Sequence, residues 1–256
     1  MRSLGTVLGV WAHPDDETYC SGGLMALARS AGERVVVVTA TRGERGTADP
    51  HRWPPGVLGR HREAELAEAL RRLGVDEHVQ LGLADGSLDR YDAALASAMI
   101  GHVVREVRPD TIVTFGPDGI TGHPDHRAVS LWARQAWRLA APHARLLYAA
   151  VTHVDEIDEE LGVHQPGYPV LTAPHDVALA LSLHGDVLAR KRAALAAHAS
   201  QTDALAAALG EERYLSWIEN ETFRDPVPVR SSRRARRLRR PRRRAGTHPV
   251  RAAAGR

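Results

Sequence analysis

Three short stretches of this chain concentrate residues able to hold a metal or move a proton. They are Trp11-Ala12-His13-Pro14-Asp15-Asp16-Glu17, Thr41-Arg42-Gly43-Glu44-Arg45-Gly46 and Gly116-Pro117-Asp118-Gly119-Ile120-Thr121-Gly122-His123-Pro124-Asp125-His126. The first and third each contain His-Pro-Asp. His13 and Asp16 lie three residues apart on a turn stiffened by Pro14, which can aim an imidazole and a carboxylate at one point. A third ligand can come from His126. Two histidines, one carboxylate and an open position form the pattern of a hydrolytic zinc site, and Fe2+ accepts the same set.

A cation held this way lowers the pKa of water toward neutrality, but a neighbouring carboxylate must still take the proton during attack. Asp15 is the adjacent candidate for that base. His123 could face the other side of a scissile carbonyl, stabilising the oxyanion and protonating the leaving amine, with Asp125 keeping its ring protonated. The plainer alternative is that Asp16 and Asp125 only cap the helices that follow them. Two such clusters at matching strand ends weigh against it. Cys20 as a fourth ligand would close the site to water, so a small buried residue is the better account. Gly22-Gly23 lacks the spacing of a dinucleotide loop.

Positioning these residues requires alternating strands and helices. Apolar runs predict strands at 6–12, 34–41, 78–81, 111–115 and 145–151, with helices at 21–31, 60–73, 91–108 and 126–141 between them. The 60–73 segment carries Leu66, Ala69, Leu70 and Leu73 on one helical face. This alternation is that of an α/β protein with a mostly parallel sheet covered on both faces, whose ligands bind at the carboxyl ends of the strands. Residues 152–177, rich in Pro, Gly, His and acid, read as an excursion that roofs a site or an edge. Alanine-rich helices are predicted at 181–197 and 202–209, and Phe223 and Asp225 mark the end of the body.

AHPDDE after the first strand, TRGERG after the second and GHPDH after the fourth resemble the PIG-L/LmbE family of zinc-dependent deacetylases. The resemblance extends over most of residues 7–225. It includes Arg62-Glu63-Ala64-Glu65, Leu83-Ala84-Asp85-Gly86 and the closing Lys191…His198-Ala199-Ser200-Gln201. It implies a Rossmann-like three-layer sandwich and an enzyme that removes acyl groups from the 2-amino group of glucosamine-containing molecules, such as GlcNAc-phosphatidylinositol, GlcNAc-inositol or glycosylated antibiotics. It further implies that His13, Asp16 and His126 bind the metal, that Asp15 is the base, and that His123 with Asp125 forms the acid or oxyanion element. Arg42, Arg62 and Asp85 are candidate substrate contacts, although Arg62 with Glu65 would equally make a helix-surface ion pair and Asp85 an Asp-Gly turn. Glu17 is expected to brace the first turn, and His198 to pack or to meet another subunit.

Composition sharpens this reading. The 256 residues are 43% hydrophobic and 25% charged, as in an ordinary globular protein, and the net charge is +3. Twelve arginines and no acid fall in residues 226–256, so the remaining 225 residues hold 22 basic against 31 acidic side chains, a net −9. The body is therefore acidic. The tail is expected to be disordered and lacks interleaved aromatics, so it offers anionic surfaces non-specific charge without base readout. No apolar run approaches the roughly 18 residues of a membrane span, and residues 1–12 read as a first strand rather than a leader. One cysteine, with no disulfide, fits the cytoplasm. The expected partner is a small glycoconjugate, and homo-oligomerisation is left open. Two alternatives remain at this stage: an amidase of thiol-cofactor conjugates, and a catalytically silent binding protein that recruits nucleic acid through its tail.

Overall fold

The computed structural model describes residues 3–226. The predicted tail, 226–256, lies outside the described residues except for Pro226. Five strands alternate with helices as expected: β1 (Val7–Trp11), α1 (Asp16–Ser30), β2 (Val35–Thr41), α2 (Pro55–Leu73), β3 (Glu77–Leu83), α3 (Ala93–Val107), β4 (Thr111–Phe115), α4 (Pro124–Ala140) and β5 (Arg145–Ala149). There follow α5 (Glu156–Leu161), β6 (Val177–Ser182), α6 (Gly185–Ala197), α7 (Ala199–Leu209), α8 (Glu211–Ile218) and β7 (Asn220–Arg224). The seven strands form one sheet in the order β3-β2-β1-β4-β5-β7-β6. The first five are parallel, and β7 runs antiparallel to both β5 and β6.

Every residue of β1, β2 and β4 is buried, which is why these strands read as short runs rich in apolar and β-branched residues. Successive strands step outward from β1 through β2 to β3, then return to β4 on its other side. The crevice between the carboxyl ends of β1 and β4 is thus the switch point where open α/β sheets bind ligands. At its floor the Trp11 and Phe115 rings meet edge to face, 4.9 Å apart.

The largest departures from the sequence reading are local. α1 begins at Asp16 rather than residue 21, so the acidic cluster opens the helix instead of preceding it. The predicted helix 181–197 divides: Val177–Ser182 is strand β6, and α6 starts at Gly185, whose φ of 57° marks the break. Short apolar runs fit either period, and pairing with β7 decides this one. The excursion carries the short helix α5, whose capping box joins Asp155 and Asp158. It lies over the loop after β4, where the Gln165 amide donates to the Thr121 carbonyl and Tyr168 packs against Gly122.

One buried ion pair ties these layers together. Lys191 of α6 donates to the Tyr19 carbonyl at 2.9 Å and pairs with Glu221 of β7 at 2.8 Å. Glu221 in turn accepts the backbone N–H groups of Gly23 and Leu24. The pair is thereby inserted into the middle of α1, locking that helix to α6 and β7.

Candidate metal centre

The chain leaves β1 into a tight turn and re-enters helix at Asp16, which brings His13 and Asp16 back over the sheet edge. The loop after β4 turns through Gly119, Ile120 and Gly122, all at positive φ, and delivers His123 and His126 to the same point from the other side. A side chain at Gly119 would meet the His126 Cβ at 2.9 Å, so only glycine allows this approach.

Three donor side chains converge there. His13 Nδ1 lies 3.2 Å from His126 Nε2 and 3.4 Å from Asp16 Oδ2, and His126 Nε2 lies 3.3 Å from Asp16 Oδ1. Ligands about 2.0–2.2 Å from one tetrahedral ion stand about 3.3–3.6 Å apart, so this triangle fits a single divalent cation. The other ring nitrogens agree. His126 Nδ1 is 3.1 Å from the Gly119 carbonyl, and His13 Nε2 is 3.1 Å from Asp85 Oδ1 and 3.4 Å from Asp125 Oδ2. Each outer nitrogen therefore carries the hydrogen, leaving the inner one a lone pair for a metal. Phe115 stacks on His126, with ring centroids 4.2 Å apart and planes within 8°.

The charge balance also favours a cation. Burial opposes protonation of His13, but hydrogen bonds to Asp125, Asp16 and Asp85 outweigh it and hold the pKa well above its ordinary value. The same three carboxylates would attract a bound dication. Burial brings His126 down to about 4, so its ring is neutral and ready to ligate. Asp16 would be raised by burial, yet His126 and His13 hold it well below the usual carboxylate range.

The remaining predicted residues divide in an instructive way. Asp15 is the N-terminal cap residue of α1, and burial pushes its carboxyl up to about 6 against the pull of Arg62. Arg62 is only 4% exposed, and its partners are not the Glu65 expected of a helix-surface pair. Its guanidinium donates to the Gly43 carbonyl at 2.8 Å, to the Pro14 carbonyl, and to Asp15 Oδ2 at 3.1 Å. Asp85 is buried, accepts the Arg45 N–H and orients His13. Asp125 does not hold His123. Its two oxygens accept the N–H groups of Gly86 and Leu88, and its ring partner is His13. His123 instead caps α4, its Nδ1 accepting the Asp125 N–H at 3.2 Å, so the ring hydrogen sits on Nε2. Burial and the nearby His13 lower its pKa, making His123 a neutral hydrogen-bond donor. A ring nitrogen of His123 lies within 4.8 Å of ring nitrogens of both His13 and His126.

Arg42 is 52% exposed and pairs with Glu63 at 2.8 Å. Both, with Glu44 and Tyr91, line a groove of about 580 Å3 beside the carboxyl ends of β2 and β3. Glu44 links groove and centre by accepting the Asp85 N–H at 2.9 Å. The sequence reading missed that Asp85 and Asp125 orient His13 and that Arg62 clamps Asp15. The usable signal was that a ligating histidine needs an acceptor for its second nitrogen.

The family model described as PIG-L, GlcNAc-PI de-N-acetylase, matches residues 8–137. Among curated proteins, the 1D-myo-inositol 2-acetamido-2-deoxy-alpha-D-glucopyranoside deacetylase of Streptomyces griseus is 35% identical over 238 residues, covering 76% of this chain and 74% of that protein. The protein of the same name from Streptomyces scabiei is 40% identical over 160 residues, with 54% and 50% covered, so that match spans half of the relative. Among solved structures, N,N'-diacetylchitobiose deacetylase from Pyrococcus horikoshii shares the fold, with a TM-score of 0.64 at 23% identity over 86% of this chain and 82% of that one.

Proposed function

Because the chain belongs to the PIG-L family, we propose that it is a metal-dependent amidohydrolase that removes the N-acetyl group from a GlcNAc-containing glycoconjugate, with GlcNAc-inositol as the first substrate to test. The convergence of His13 Nδ1, Asp16 and His126 Nε2 within 3.2–3.4 Å of one another carries this reading. These three residues would hold the ion, for which we propose zinc, and Fe2+ suits the same donors. When bound, such an ion polarises the amide carbonyl and makes water more acidic.

The protein's own groups account for the rest. Asp15 takes the proton of the attacking water. Arg62, donating to its Oδ2, keeps the carboxylate aimed and favours its charged form. His123, with its hydrogen on Nε2, donates to the oxygen of the tetrahedral intermediate. A neutral ring is a poor proton source, so Asp15 returns the proton to the amine nitrogen as the C–N bond breaks, releasing the free amine and acetate. This replaces the expected proton donation by His123. Asp85 and Asp125 keep His13 in the ligating tautomer. The groove at Arg42, Glu44 and Glu63 would receive the aglycone, which the Glu44–Asp85 hydrogen bond connects to the centre. We place the enzyme in the cytoplasm, where its unpaired Cys20 is in keeping.

The test is to incubate metal-loaded protein with a panel of N-acetylglucosaminides, including GlcNAc-inositol, and to measure free amine. Asp15→Ala should abolish hydrolysis while retaining about one metal per chain, an effect of at least about 100-fold. A fully active Asp15→Ala protein would contradict the mechanism. Cleavage of acylated-cysteine conjugates with no hydrolysis of N-acetylglucosaminides would favour the amidase alternative.

A further inference from the structure

The proposed base is held in an unusual backbone conformation. Asp15 has φ of 105° and ψ of −31°, outside the regions favoured by any residue with a Cβ. Such strain persists only where surrounding contacts over-determine it. Two of those contacts are already described, the Arg62 bonds to the Pro14 carbonyl and the Asp15 carboxylate. They grip the residue from outside the helix. The grip from inside comes from Glu17, whose Oε2 accepts the Asp15 N–H at 3.0 Å.

Glu17 is itself fixed. Its Oε1 accepts the Thr18 hydroxyl at 2.6 Å and lies 3.0 Å from His198 Nε2. Glu17 and His198 are both 0% exposed. His198 stands at the joint between α6 and α7, where its N–H donates to Leu195 and its carbonyl accepts from Gln201 and Thr202. One residue further on from Ala199, Ser200 clamps the same joint to α2 through Glu65. Burying two ionisable groups this completely is costly, and a packed apolar pair would stabilise the fold at least as well. Stability alone therefore does not account for them. Nor does metal binding, because neither side chain is among the three converging donors.

We propose that Glu17 and His198 are positioning residues that hold Asp15 in its strained conformation, so that its carboxylate faces the reacting water. The inference rests on the reading of Asp15 as the base. His198 acts through Glu17, and Glu17 acts through the backbone of Asp15. The α6–α7 joint, more than 180 residues away in sequence, thus sets the aim of a carboxylate at the end of β1.

Two measurements on the full-length protein test this. In the first, Glu17→Gln and His198→Gln are loaded with metal and assayed on the substrate that the wild type hydrolyses. Both should retain about one metal per chain and a KM within about twofold of wild type, while kcat falls about 10- to 100-fold, the scale of a misaimed catalytic group. The second uses thermal melting, which does not depend on activity. Asp15→Gly should melt higher than Asp15→Ala, because only glycine adopts this φ without strain. The proposal is overturned if kcat in both glutamine variants stays within twofold of wild type, if the loss of activity follows loss of metal, or if Asp15→Ala melts at or above Asp15→Gly. A wild type inactive on every acylated sugar would instead count against the proposed function, leaving the melting order to judge the strain.

Discussion

Replacing Asp85 by Asn removes one negative charge and leaves the shape of the side chain nearly unchanged. Asp85 now accepts two hydrogens, one from the Arg45 N–H at 2.8 Å and one from His13 Nε2 at 3.1 Å. An asparagine oxygen can serve only one of them well, and an amide NH2 turned toward His13 would favour the tautomer with its hydrogen on Nδ1, which cannot ligate. Across the imidazole ring, the lost charge stands about 7 Å from the ion, where a unit charge attracts a dication by about 1 kcal/mol in water and about 5 kcal/mol at an effective dielectric of 20. Second-shell changes of this kind weaken metal binding about 10- to 100-fold, about 1.4–2.7 kcal/mol, within that bracket. Asp125 remains 3.4 Å from the same nitrogen, so the lower half of the range is expected. Titration of the metal-free protein against a chromophoric chelator measures the shift. At saturating metal the variant should recover most of its kcat, because the three ligands and Asp15 are untouched. An unchanged affinity would refute the assignment of His13 Nδ1 as the ligating atom, and so would a kcat that stays low at saturation.

Arg62→Lys should lower kcat about tenfold with little change in KM, since a single ammonium cannot reach Gly43, Pro14 and Asp15 together; steady-state kinetics checks this. Lys191→Ala should destabilise the protein by about 3 kcal/mol or more in chemical denaturation, because it leaves the Glu221 charge buried without its cation. The metal-free protein should lose stability as pH rises above about 7. His126 and His123, whose pKa values are lowered, are by then neutral in both folded and unfolded states, whereas the raised His13 keeps a stabilising proton that is lost as pH passes its folded pKa. Saturating metal should largely abolish this dependence, which melting curves across pH would show.

The elements best legible in the sequence are those whose burial dictates composition. β1, β2 and β4 are closed on both faces, and their runs of apolar and β-branched residues mark them. β6 and β7 were harder. VALALS is short and suits either period, while NETFR is a strand only because it fits between β5 and β6, a long-range pairing that no local pattern encodes. The same division holds in the site. His13, Asp16 and His126 follow from residue type, spacing and strand-end placement. The partners of those residues do not, because an arginine such as Arg62 reads as an exposed charge until its helix is packed against the turn it clamps. Asp125 illustrates the limit most clearly. Its proximity to His123 in sequence suggested a pair, but the start of α4 directs its carboxylate to Gly86, Leu88 and His13 instead.

The central claim is that one divalent ion is held by His13 Nδ1, the Asp16 carboxylate and His126 Nε2. A crystal structure of the protein grown with zinc, with anomalous data at the zinc edge, tests it most directly. The account predicts a single strong peak about 2.0–2.2 Å from those three atoms, with a position open toward Asp15 and His123. A peak between His13 Nε2, Asp85 and Asp125, where three donor groups also come within 4.8 Å of one another, would contradict it.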